Sequence, residues 1–72
     1  MKVKNKIKIQ LNGKKIQIYD NETLNKLVKR LNLPLNKVAI ELNKKIIDKK
    51  KLKKIKLNNG DKIEIVHFIG GG

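Results

Sequence analysis

The sequence predicts an α+β fold: one mixed sheet of four or five strands with a single helix packed across one face. Three features carry that expectation. Apolar and polar residues alternate from Lys6 to Tyr19 around a central Asn12-Gly13. A single window, starting near Leu24, has its apolar residues at helical spacing. After Pro34 the two-residue alternation returns in short runs separated by turn residues. One helical face suffices to cover one sheet face, so a two-layer arrangement buries both.

Each element follows from its own residues. Asn-Gly between two alternating runs is a strong hairpin signal, because both residues accept the positive φ of a type I′ turn. Taking them as the loop sets Leu11 opposite Lys14, Ile9 opposite Ile16 and Ile7 opposite Ile18. The isoleucines then share the buried face, and Lys6, Lys8, Gln10, Lys15 and Gln17 the wet one. Next, Asp20, Asn21 and Thr23 offer capping oxygens. Leu24, Leu27, Val28 and Leu31 follow at i, i+3, i+4 and i+7, with Asn25, Lys26, Lys29 and Arg30 on the opposite face. A helix is expected between Glu22 and Asn32, stopped by Pro34.

Beyond the proline, Val38, Ile40 and Leu42 alternate with Ala39, Glu41 and Asn43, which predicts a third strand. Asn43-Lys44-Lys45 is read as a turn into a very short edge strand, Ile46-Ile47. Lys49 to Lys56 is the most basic stretch, with Leu52, Ile55 and Leu57 as apolar footholds, and is expected to lie over the sheet as a turn or short irregular helix. Asn58 to Asp61 makes a turn. Lys62 to Ile69 is the last strand, with Ile63 and Ile65 facing the core and Glu64, Val66 and Phe68 facing away. This order is that of the β-grasp, or ubiquitin-like, arrangement, in which the last strand lies beside the first. That placement comes from the fold and not from periodicity. Residues 1–69 are expected to form one domain and residues 70–72 a flexible glycine tail.

At 72 residues the chain is about half the usual size of a domain, which leaves little room for an enclosed active site. The net charge of +13 points first to nucleic acid. Composition weakens that reading. Lysine supplies 18 of the 19 basic residues, and Lys, Ile and Asn together supply 38 of the 72. All three have codons that can be written with A and T alone, so a biased genome produces much of the charge. With 3% aromatic residues and one arginine, the lysines of residues 49–56 lack stacking platforms for bases and the means of groove readout, and are read as a solvated face. No cysteine is present and His67 is the only histidine, which disfavours a disulfide framework, a cysteine nucleophile or a protein-built zinc site. His67 is expected to pack on the buried side or the sheet margin. No apolar run is long enough to span a membrane, and the charged N-terminus does not read as a signal peptide, so the cytoplasm, or the plastid stroma for an organelle gene, is the expected compartment.

No nucleophile, base and orienting group can be assembled from the remaining residues. What is left is the terminus. Glycine has no Cβ, so Gly70-Gly71-Gly72 is thin enough to enter a narrow cleft of another protein. From Ile69 to Gly72 it extends at most about 14 Å. A glycine run is also what a plain chain end looks like. Here it leaves a predicted strand directly, with no polar spacer.

The segment from Asn59 to Gly72, NGDKIEIVHFIGGG, resembles the C-terminal signature of the ThiS family of thiamine-biosynthesis sulfur carriers: a Gly-Asp turn, an apolar strand ending Val-His-Phe, then glycines. The likeness extends over the chain in size and element order and is specific in these last residues. The lysine excess departs from the near-neutral or acidic balance usual in that family and bears on partner electrostatics. The resemblance implies that the chain has no catalytic group and binds no cofactor of its own. A ThiF-like adenylating enzyme, using ATP and Mg, activates the Gly72 carboxylate while Gly70 and Gly71 thread its active site. Sulfur from a cysteine desulfurase route makes a thiocarboxylate, and a ThiG-like thiazole synthase receives the sulfur. Val66 and Phe68, with Ala39 and Tyr19 expected nearby, form the predicted docking patch. The free chain is expected to be a monomer. The alternatives are another β-grasp carrier, such as the small subunit of molybdopterin synthase or a tRNA-thiolation protein, or a small basic RNA-binding module.

Overall fold

The opening hairpin has the register that its turn dictates. In the computed structural model, which describes residues 5–68, β1 (Lys6–Leu11) pairs antiparallel with β2 (Lys14–Tyr19), with Ile7 opposite Ile18 and Ile9 opposite Ile16. Asn12 and Gly13 both take positive φ, 49° and 84°, as a two-residue type I′ loop requires. Ile9 and Ile18 are fully buried, and Ile7 and Ile16 pack at the margin of the core.

The helix α1 (Leu24–Leu31) spans the apolar stripe and lies inside the expected Glu22 to Asn32. Of the three capping residues on offer Thr23 is the one used: it is extended, forms an isolated antiparallel bridge with Lys56, and its hydroxyl accepts the Lys26 N–H at 3.2 Å. Asn32 closes the other end in the left-handed region, φ 55°, its N–H returning to the Lys29 carbonyl. Leu24, Leu27 and Val28 are buried, whereas Leu31, the fourth residue of the stripe, is exposed.

Pro34 is followed by a 3-10 turn, Leu35–Lys37, which the sequence pattern does not reveal, and then by β3 (Val38–Leu42). The edge strand β4 is Lys45–Ile46, one residue earlier than expected. Asn43 and Lys44 both adopt positive φ and make a two-residue loop, so Lys45 pairs with Leu42 instead of turning. Lys49–Lys54 forms a second 3-10 segment, capped by Asp48, which accepts the Lys50 N–H, and held down by the buried Leu52. After the turn at Asn58 to Asp61, β5 (Lys62–His67) completes a sheet of order β2-β1-β5-β3-β4. The strand stops at His67, so that Phe68 falls outside it, because its partner β3 begins at Val38, opposite His67; Ile69, the expected last residue of the strand, lies outside the described residues.

β5 lies in the middle of the sheet, parallel to β1 and antiparallel to β3. Its pairing with β1 is brief: Gln10 opposite Lys62 and Leu11 opposite Ile63. Where β1 turns away, the Asn12 side chain takes over, its Oδ1 accepting the Ile65 N–H at 2.7 Å. The buried side chains form one cluster between the sheet, α1 and the segment from Leu52 to Leu57. No helix among the described residues is long and apolar enough to cross a membrane.

One charged residue sits in that interior. Glu22 is 3% exposed and accepts the Arg30 guanidinium at 2.7 Å and the Tyr19 N–H at 3.2 Å. Burial pushes its carboxyl up. The Arg30 hydrogen bond, the Tyr19 N–H and the charges of Arg30 and Lys26 outweigh that and hold it below its ordinary value. A carboxyl whose folded value is depressed stabilises the fold fully above its unfolded value, about 4.3 for glutamate, and loses that contribution as pH falls through the folded value. Glu22→Gln is therefore expected to be less stable than the parent at pH 7, with the gap closing below about pH 4 in denaturant titrations. Arg30→Met should cost about 1–2 kcal/mol at neutral pH, since half-exposed Arg30 is partly screened by solvent.

Candidate functional site

The end of the sheet from which the chain runs toward its terminus is built by β3 and β5. Val38 stands opposite His67 and Ala39 opposite Val66. Since Ile40 and Ile65 face the core, Ala39 and Val66 share the outer face. Phe68 continues past the ladder, its N–H donating to the Lys37 carbonyl at 2.9 Å. The Lys49 ammonium lies 5.6 Å from the centre of the Phe68 ring and also donates to the Leu35 carbonyl. The 3-10 turn after Pro34 and the first residue of the second 3-10 segment together set the position of Phe68.

Of the docking residues expected from sequence, the structure brings three together. Val66 and Phe68 are 47% and 49% exposed, and Ala39 is paired beside Val66. Tyr19 is not with them. It pairs with Lys6 at the opposite end of the hairpin, and the parallel offset of β1 against β5 places it roughly 26 Å from Val66 along the strands. The Lys6 ammonium lies 5.7 Å from its ring. His67 is exposed at the sheet margin, so the buried alternative for it is excluded. Gly70, Gly71 and Gly72 lie outside the described residues.

Two features of this region were not singled out from sequence. Ile46, on the edge strand, is 75% exposed. It pairs with Glu41, and Glu41 in turn stands opposite Glu64, so an apolar side chain and two carboxylates share the outer face with Ala39 and Val66. Alternation gives each residue its face, but the cross-strand register that joins them is tertiary.

Two depressions lie elsewhere among the described residues. A shallow depression of about 210 Å³ is bordered by Lys6, Tyr19, Glu22 and Arg30, and one of about 160 Å³ by Lys8, Lys15 and Asn59. Both fall below the roughly 300–1,000 Å³ of typical ligand pockets. Among the described residues no group of three His, Cys, Asp or Glu side chains could hold a metal ion. The lysines of the second 3-10 segment are exposed around Leu52, as a solvated face would be.

The chain matches the family described as the ThiS family over residues 6–72. It is 42% identical over 65 residues to the sulfur carrier protein ThiS of Bacillus subtilis, covering 89% of this chain and 98% of that protein. It is also 38% identical over 66 residues to a thiazole synthase of Paramagnetospirillum magneticum. That match takes in 92% of this chain but spans only 20% of the synthase. Among solved structures, a thiamine biosynthesis protein (ThiS) from Geobacter metallireducens superposes with a TM-score of 0.80 at 23% identity, covering 92% of this chain and all of that one. At that identity the likeness is one of fold, and it agrees with the β-grasp arrangement.

The hold on Phe68 has a measurable consequence. Lys49→Met keeps an apolar stem over the ring but removes both the cation and the donor to Leu35. Global stability should change little, while amide exchange at Phe68 quickens about two- to fivefold, the equivalent of a lost cation–π contact. Lys49→Arg should restore the slower exchange.

Proposed function

The chain belongs to the ThiS family, and from that membership we propose the chemistry of its C-terminus. It is a sulfur carrier of thiamine biosynthesis. In the proposed sequence of steps it acts as a protein cosubstrate, and the Gly72 carboxylate is its working group. A carboxylate is a poor electrophile. One of its oxygens attacks the α-phosphorus of ATP in a partner adenylating enzyme, releasing pyrophosphate and leaving an acyl-adenylate; the Mg and ATP belong to that partner. A persulfide from a cysteine desulfurase route attacks the acyl carbon and AMP departs. A thiol then cleaves the sulfur–sulfur bond that came with the persulfide, forming a disulfide with the carrier cysteine and leaving the thiocarboxylate, whose sulfur passes to a thiazole synthase.

The observation that carries this reading is where β5 ends. A central strand, joined to β1 at its start and to β3 as far as His67, runs to within five residues of the terminus, and Phe68 is tied to Lys37 one residue beyond it. From Phe68 the last four residues reach at most about 14 Å, so the partner's active site must come close to this end of the sheet. Glycines at positions 70–72 leave the partner no side chains to accommodate. The similarity to part of a thiazole synthase supports such a protein as the receiving partner.

Intact-mass analysis after incubation with the cognate adenylating enzyme, Mg-ATP and a sulfur donor tests the proposal. The full chain should gain about 16 Da as one oxygen is exchanged for sulfur, a covalent change at the terminus alone. Deleting Gly72 should abolish the gain. A shortened chain that is still thiolated and still supports thiazole formation would remove Gly72 from the mechanism.

A further inference from the structure

Glu41 of β3 and Glu64 of β5 stand directly opposite one another on the outer face. Like charges so placed repel and weaken a sheet. The chain has 18 lysines, yet among the described residues the ion pair formed is Arg30 with Glu22, and neither outer carboxylate has a hydrogen-bonding or ionic partner. On β5 itself the same face also carries Lys62, two residues before Glu64 and beside Gln10. Apolar surface adjoins the pair on two sides. Ile46 lies across from Glu41 on the edge strand, and Ala39 and Val66 form the next outer pair toward the terminus.

The fold has no use for this juxtaposition. Either position could carry lysine, the commonest residue in the chain, and gain a cross-strand attraction. The pair does suit a surface that brings a cation with it. We propose that this face docks the adenylating partner through an arginine or lysine side chain seated between Glu41 and Glu64, with apolar partner side chains over Ile46, Ala39 and Val66. The proposal rests on the carrier reading above and adds the sign of the partner surface. Continuity with the terminus supports that occupant: Val66 is six residues from Gly72, so a protein holding Gly72 lies within about 20 Å of this face. Charge complementarity supplies orientation. In a chain of +13, most of the surface repels a basic patch, and this face is where one is drawn in.

The test compares the full-length chain with Glu41→Gln/Glu64→Gln and Glu41→Lys/Glu64→Lys variants, measuring affinity for the cognate adenylating enzyme and the carrier concentration dependence of acyl-adenylate formation. The lysine variant should lose at least about tenfold in Kd and in kcat/KM, with the glutamine variant between it and the parent. The rate at saturating carrier should hold, because the chemistry at Gly72 is untouched. The glutamine variant should melt at or above the parent's temperature, since a repulsion has gone, and this separates weak docking from misfolding. Lysine variants that bind the enzyme as tightly as the parent overturn the proposal. So does a loss of affinity confined to thiazole synthase, which would make that protein the occupant. A parent chain that is neither bound nor adenylated overturns the carrier reading and this proposal with it, whereas normal adenylation indifferent to these charges overturns this proposal alone.

Discussion

The buried carboxylate of Glu22 is the constraint around which the two layers are joined. Its side chain takes the Tyr19 N–H at the end of β2 and the Arg30 guanidinium from α1. Its backbone bonds to Tyr19 on one side and to Leu57 on the other, and the neighbouring Leu24 N–H reaches the Ile55 carbonyl. Four parts of the chain therefore meet at one residue: the hairpin, the helix, the Lys-rich 3-10 segment and the approach to β5. A charge this far from water is tolerated only when paired and hydrogen-bonded, so these partners hold one arrangement and penalise others. One oxygen, Oε2, is buried without a partner among the described residues, which makes the other oxygen's bonds the more consequential.

Most of the fold is legible in the sequence because local chemistry and long-range packing agree. Asn12-Gly13 dictates the hairpin register, the Leu24 to Leu31 spacing marks the helix, and alternation assigns inner and outer faces on β3 and β5. The misreadings arise where a tertiary contact overrides a local preference. Lys44 is an unfavourable residue for positive φ, and its loop shifts the edge strand by one residue. The site was legible in part. Val66, Phe68 and Ala39 follow from strand alternation and an antiparallel pairing. Tyr19 was misplaced because alternation tells which face a residue occupies but not how far along the sheet it lies. The parallel offset between β1 and β5 decides that, and it depends on the loop lengths of the whole domain. The contact of Lys49 with Phe68 joins residues 19 positions apart, with no pattern to announce it.

With docking on the outer face of β3 and β5, as proposed above, most of the charge of the chain and its recognition surface lie apart. Apart from Lys49, which lies over Phe68, the lysines of the second 3-10 segment are exposed around Leu52, while the outer face of β3 and β5 carries two carboxylates and exposed apolar side chains. Net charge governs solubility and encounter rates, and the local sign at a docking face governs which partner stays.

The position of β5 also has a mechanical side. A protein that draws the last residues into a cleft pulls on this strand along its own axis, and its hydrogen bonds to both neighbours lie across that direction. With β3 antiparallel on one flank and β1, extended by the Asn12 side chain, on the other, the bonds bear the load together and do not open one at a time as they would in an edge strand peeled from its end. A pull of that kind loads the sheet in shear, the direction in which the domain best resists unfolding.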